Sequence, residues 1–183
     1  MSHPHLQGSL PARDSSDEDC LSVFQQELDY IYWTLRRLGV SKSEVEDLAQ
    51  EVFIVLRRSW IRYDQERPIR PYLFGIAFRI ASAYQRKRKR EIAFGGIDPD
   101  DAGPLPDAVL QTKQSRAIVL AALEGIPLAR RAALVMHELD DIPVSEVAAV
   151  LAVPLFTVYS RLRKARRELE AAVRRAVRRG EVE

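Results

Sequence analysis

Residues 141–169 read DIPVSEVAAVLAVPLFTVYSRLRKARREL. Apolar residues recur there at helical spacing over about Pro143 to Leu151 and again from Leu155 onward, with Ala152, Val153 and Pro154 between the two runs. Two helices joined by so short a break, the second rich in arginine, make a helix-turn-helix, whose second helix enters the DNA major groove. On a helical wheel Val158, Leu162, Ala165 and Leu169 face inward, Phe156, Ser160, Arg163, Lys164 and Arg167 face outward, and Thr157 lies at the edge. Arginine and lysine suit guanine edges or phosphates, and serine and threonine suit either. A generic basic amphipathic helix gives the same wheel, so the assignment needs support elsewhere in the chain.

The charge distribution supplies some. The net charge of +2 hides two basic blocks with an acidic one between them. Residues 57–90 carry 11 basic and 2 acidic side chains, residues 91–112 carry 5 acidic and no basic ones, and residues 155–183 carry 9 basic and 4 acidic ones. Local fields govern polyanion binding more than the total does, so the pattern predicts two separate contacts with nucleic acid. The acidic stretch GGIDPDDAGPLPD (95–107) reads as a linker, stiffened by proline and extended by like charge. Residues 1–20 are polar and without periodicity and read as a disordered arm.

The expected fold is therefore all-α: two small helical domains, 21–92 and 113–175, joined by the flexible acidic linker 93–112, with the helix-turn-helix in the second and a tail over 176–183. No hairpin signal between β-branched runs appears. In the first domain Ser41 and Glu44 form a capping box that predicts a helix through about Arg58. Its wheel turns Val45, Leu48, Val52, Val55 and Leu56 to one side and Asp47, Gln50 and Ile54 to the other. The next segment interleaves arginines, among them Arg67, Arg70 and Arg79, with Trp60, Tyr63, Tyr72, Phe74, Phe78 and Tyr84, and Pro68 and Pro71 divide it into two helical pieces. Aromatics among cations suit single-stranded nucleic acid, whose unstacked bases offer ring faces. Leu73, Ile76, Ile80 and Tyr84 share a core face, while Phe78, Ser82, Gln85, Arg86 and Lys89 share the opposite one. In the run RKRKR (86–90), Arg86 and Lys89 continue that outward line, and Lys87 and Arg88 point elsewhere.

With these motifs in order, the chain resembles the extracytoplasmic-function (ECF) group of bacterial sigma-70 family sigma factors over roughly residues 22–172. EVEDLAQEVFIVL (44–56) is similar to the family's polymerase-docking helix, RYDQERPIRPYLFGIAFRIASAYQRKRKR (62–90) to its −10 element, and the helix-turn-helix to its −35 reader. The resemblance implies Asp47, Gln50 and Glu51 as contacts to the β′ clamp helices of bacterial core RNA polymerase, with Ile54 joining them by its place on the outward face, and the β flap as a second docking point. For the −10 element it implies Tyr63, Arg67, Arg70, Tyr72, Phe78, Arg79, Ser82, Gln85, Arg86 and Lys89, the loop Tyr63 to Pro71 capturing a flipped base. For the −35 element the motif match covers Thr157, Ser160, Arg161 and Lys164, and the outward wheel face adds Phe156, Arg163 and Arg167, with Tyr159 beside them. The resemblance further implies promoter DNA and an anti-sigma factor as partners and a linker that runs through a polymerase channel. Arg79 and Ala83 stand where the family often has asparagine and aspartate, and Phe156 and Tyr159 where it has glycine and a basic residue.

Two other classes fit less well. A self-sufficient DNA-binding regulator leaves Asp47, Gln50 and Glu51 idle. An enzyme needs a constellation that is missing: Glu44, Asp47 and Glu51 lack an accompanying Glu-x-x-His pair, His137 stands alone, and no Gly-rich phosphate loop occurs. No cofactor or metal is expected. The one cysteine, Cys20, fits a reducing compartment, and the apolar stretches fall short of the roughly 20 residues that membrane insertion needs, so a cytoplasmic location is expected.

Overall fold

The computed structural model describes residues 13–93 and 110–178. Among the described residues all regular structure is helical. The first half holds α1 (Arg13–Gln26), α2 (Leu28–Arg37), α3 (Val45–Ser59) and α4 (Ile69–Ala93), with a 3-10 turn at Trp60–Arg62. The second holds α5 (Leu110–Glu124), α6 (Leu128–Leu134), α7 (Val144–Val150) and α8 (Leu155–Arg178), α6 running on into a π-helical turn at Val135–Leu139.

Each helix forms where its apolar spacing closes on a neighbour. Ile31 and Leu35 of α2 meet Val45, Leu48, Val52 and Leu56 of α3 and Leu73, Phe74 and Ala77 of α4 in one continuous core. That core extends into the second half through Leu123, Leu134, Met136, Val147, Val158 and Leu162. Pro71 sits in the first turn of α4, where a missing N–H costs nothing because the first four amide donors of a helix have no partner inside it.

Four expectations change. Residues 13–20, read as part of a disordered arm, belong to α1, and Cys20 is fully buried. That helix is tied down from outside itself: Asp17 accepts from Arg57 Nε and Nη2 at 3.1 and 2.7 Å, and Phe24 meets Phe53 with ring centroids 4.8 Å apart. The capping box does not form, because Ser41 is buried with its hydroxyl 2.9 Å from that of Ser43, and α3 starts at Val45 without a side-chain cap. Leu110 to Thr112, placed in the linker, open α5, and α8 continues through Arg178 beyond the expected boundary at 175. The remainder of the linker, including its proposed path, lies outside the described residues, as do residues 1–12 and 179–183.

Candidate promoter and polymerase interfaces

On α3 the packing of Leu48, Val52 and Leu56 turns Asp47, Gln50, Glu51 and Ile54 outward, and all four are exposed. Two carboxylates, an amide and an isoleucine on one helix face repel DNA and suit a protein surface with complementary cations.

The aromatic segment is more ordered than a row of free stacking platforms. Tyr63 stacks on Trp60 (centroids 5.6 Å, 24°) and leans on Tyr72 (4.7 Å), and its hydroxyl donates to the Arg67 carbonyl. Tyr63 and Tyr72, with Arg62, Arg67, Pro68 and Pro71, line a cavity of about 280 Å³ whose other wall is Glu146, Ala149 and Val150 of α7. Arg70 Nε donates to Glu27 at 2.9 Å while its guanidinium lies 5.0 Å over the Tyr30 ring, so it braces α4 against α2.

Along α4, Arg79, Arg86 and Lys89 are exposed and Phe78 is half-buried. Two sequence candidates are engaged within the fold. Ser82 donates to the Phe78 carbonyl at 2.6 Å, and Gln85 Nε2 donates to the Leu38 carbonyl at 2.6 Å, closing the end of α2. Gln85 thus has a structural contact within the fold. Of the basic run, Lys87 lies 3.8 Å from Glu91, and Arg88 is half-buried. Arg88 and Lys89 line a cavity of about 270 Å³ with Gly39, Gln85, Ile92, Glu124 and Arg131.

The helix-turn-helix forms as its sequence predicts. The axes of α7 and α8 meet at 103°, and Ala152 takes a left-handed φ of 50° at the turn between them. Val158, Leu162 and Ala165 are buried and Leu169 half-buried, which leaves Phe156, Tyr159, Arg163, Lys164 and Arg167 exposed and Thr157, Ser160 and Arg161 half-buried. Salt bridges brace the back of α8: Arg130 grips Glu168 in a two-point contact at 2.6 and 3.0 Å, and Arg166 pairs with Glu138 at 2.5 Å. Between α5, the end of α6 and α8 lies an apolar groove of about 380 Å³, lined by Val119, Leu123, Leu139, Leu169 and Val173 among others. His137 Nδ1 lies 3.0 Å from the Ile142 carbonyl, a structural contact that closes the turn before α7.

The residues that sequence reasoning missed lie where the halves meet. Asp140, its side chain 5% exposed, accepts from Tyr30 at 2.9 Å and from Arg37 at 3.1 Å. Burial raises its pKa despite the opposing hydrogen bond from Tyr30 and the charges of Arg37 and Arg70. Burial and the adjacent carboxylate raise that of Tyr30 in turn. Glu146 lies 4.0 Å from Arg67. Arg131 is buried, its pKa lowered to about 10 by desolvation, and it donates to the carbonyls of Glu124 and Ile126. Pairs separated by about a hundred positions leave no local sequence pattern.

These surfaces define a two-part helical DNA-binding protein with a further acidic face on its first half. Family descriptions match each part: sigma-70 region 2 over residues 23–91 and sigma-70 region 4 over residues 110–169. The chain belongs to the sigma-70 family of transcription initiation factors, within its ECF group. The ECF RNA polymerase sigma-E factor of Escherichia coli (strain K12) is 28% identical over 151 residues, 76% of this chain and 79% of that one. The ECF RNA polymerase sigma factor SigE of Mycolicibacterium smegmatis is 30% identical over 168 residues, 88% of this chain and 63% of that one. Two solved structures share the fold. CnrH in complex with the cytosolic domain of CnrY has a TM-score of 0.62 at 18% identity, over 88% of this chain and 94% of that one. The sigma factor RpoE of Bartonella quintana, in complex with the anti-sigma factor NepR, has a TM-score of 0.61 at 23% identity, over 82% and 96%.

Proposed function

We propose that this chain joins core RNA polymerase and directs promoter-specific initiation as a non-catalytic cytoplasmic factor, with its two DNA contacts divided between its halves. Asp47, Gln50, Glu51 and Ile54 dock on the polymerase β′ clamp helices. Tyr63, Arg67, Tyr72, Arg79, Arg86 and Lys89 serve the −10 element, and the outward face of α8 serves the −35 element. The apolar groove beside α8 suits an amphipathic helix, and the β flap of polymerase is its proposed occupant. The observation that carries this reading is the segregation of exposed charge, with an acidic face on α3 of the region 2 match and a cationic face on α8 of the region 4 match.

The arrangement of the halves is a closed one. The −10 and −35 elements lie roughly 85 Å apart at about 3.4 Å per base pair. Here α7 packs on α4, the Cβ that Gly75 would carry lying 3.3 Å from Val150, so one DNA molecule cannot meet both readers. Glu146 also stands beside Arg67, where a promoter phosphate would otherwise sit. Asp47, Gln50, Glu51 and Ile54 remain exposed in this state. An anti-sigma factor that holds the halves together keeps the chain inactive.

Run-off transcription on a promoter library with core polymerase tests the assignment. The wild-type chain gives promoter-dependent transcripts, and Asp47→Ala with Ile54→Ala lowers core affinity about tenfold or more, as loss of central interface contacts does. No promoter-dependent product on any template rules the function out.

A further inference from the structure

The first turns of α8 carry an apolar cluster that the arginine-centred account of DNA binding leaves unused. Leu155, Phe156 and Tyr159 are 46%, 74% and 58% exposed. An isolated exposed apolar residue is ordinary on a protein surface, but three on one helix end form a patch. Phe156 and Tyr159 lie three positions apart and are neighbours on the helix surface. Exposed Arg163, Lys164 and Arg167 continue along the same helix, so the patch is bounded by cations. An apolar protein groove gains nothing from such a rim, whereas a duplex meets both parts, its phosphates taking the cations and its groove floor the ring. The placement agrees: the first residues of the second helix of a helix-turn-helix are those that reach base edges.

Phenylalanine has no hydrogen-bonding group, so it cannot distinguish bases by their donors and acceptors. The apolar feature of the major-groove edges is the thymine C5-methyl group. We propose that Phe156 reads a thymine methyl in the −35 element, with Tyr159 flanking the same contact, so that this chain selects part of its promoter by methyl burial. Ser160 and Arg163, one and two turns further along, supply the hydrogen-bonded part of the readout. This rests on the −35 role of α8, and the two ideas fail separately.

Holoenzyme assembled from the full chain and core polymerase is used to select −35 sites from a randomised duplex library. Affinities are then measured on the selected duplex and on the same duplex with deoxyuridine replacing each thymidine in turn, which removes only the methyl. Wild type is expected to lose about fourfold at the contacted position, the ratio for one buried methyl. Phe156→Ala should bind the two duplexes equally, Phe156→Leu should restore part of the difference, and all three proteins should melt at the same temperature because the side chain is exposed. Specific binding that is indifferent to deoxyuridine, or an undiminished penalty in Phe156→Ala, overturns the proposal. Absence of any selected −35 sequence overturns the role of α8 itself.

Discussion

At the residue scale, Asp140 shows how a closed state can be specific without being strong. Its carboxylate gains a hydrogen bond from Tyr30 and a charge partner in Arg37, but taking an ion out of water is costly enough that burial dominates its titration. The net contribution of such a pair is small, while its geometry fixes one register between the halves. The raised pKa has a definite sign. The closed form holds the Asp140 proton more tightly than an open form with a solvated carboxyl, so closure is favoured below the ordinary carboxyl range. It weakens as pH rises through the raised value. The Tyr30 hydroxyl and the charges of Arg37 and Arg70 face the carboxylate and oppose the rise without reversing it, and Glu27 is engaged with Arg70. Fluorophores on the two halves should therefore report a larger open population near pH 7 than near about pH 5. In Asp140→Asn, which keeps an acceptor for Tyr30 but cannot ionise, that slope should vanish. An unchanged slope in the variant would assign the pH response to other groups.

At the element scale, the helices were legible wherever one face is buried, because a stripe such as Val45, Leu48, Val52 and Leu56 is written in the spacing itself. The helix-turn-helix was legible for the same reason, and so was the outward face of α8. What escaped was structure held by distant partners. In α1 the order comes from Cys20 entering the core and from Arg57 and Phe53 of α3, none of it visible in RDSSDEDC. Gln85, read as a DNA contact from its outward wheel position, also donates to the Leu38 carbonyl at the end of α2, a contact that no local pattern announces. Gly39, just past that helix end, has a left-handed φ of +89°. A Cβ there would stand 2.3 Å from Arg131 Nη1 and 2.7 Å from Gln85 Nε2. Arg131 cannot swing clear, since its Nε and Nη2 hold the end of α5. Gly39→Ala should thus cost about 1–2 kcal/mol for the backbone alone and more for the clash. The resulting drop in Tm should be at least roughly 3–6 °C. In an Arg131→Ala background the added cost should shrink to the backbone part plus the contact with Gln85; equal costs in both backgrounds would remove Arg131 as the close neighbour.

At the scale of the whole molecule, the proposed function requires the two halves to separate for the chain to act, and that requirement can be isolated from the chemistry of any one contact. Gly75 on α4 and Val150 on α7 face each other, a Cβ at 75 lying 3.3 Å from Val150 Cγ1, and this closeness makes them the pair to replace with cysteines. Cys20 can stay in place, because it is fully buried and its thiol pKa is raised by burial and by Asp17, which leaves little thiolate to compete. Oxidised Gly75→Cys/Val150→Cys protein should still bind core polymerase, losing at most the β flap contact, since Asp47, Gln50, Glu51 and Ile54 remain exposed when the halves are closed. Its run-off transcription should fall at least about tenfold, because a tethered α7 keeps the −35 reader far short of its element. Reductant should restore the product, and that recovery excludes misfolding as the cause. A locked chain that transcribes at the wild-type rate would mean that promoter DNA bends to meet both readers or that one element suffices, and the closed state would then have no inhibitory role.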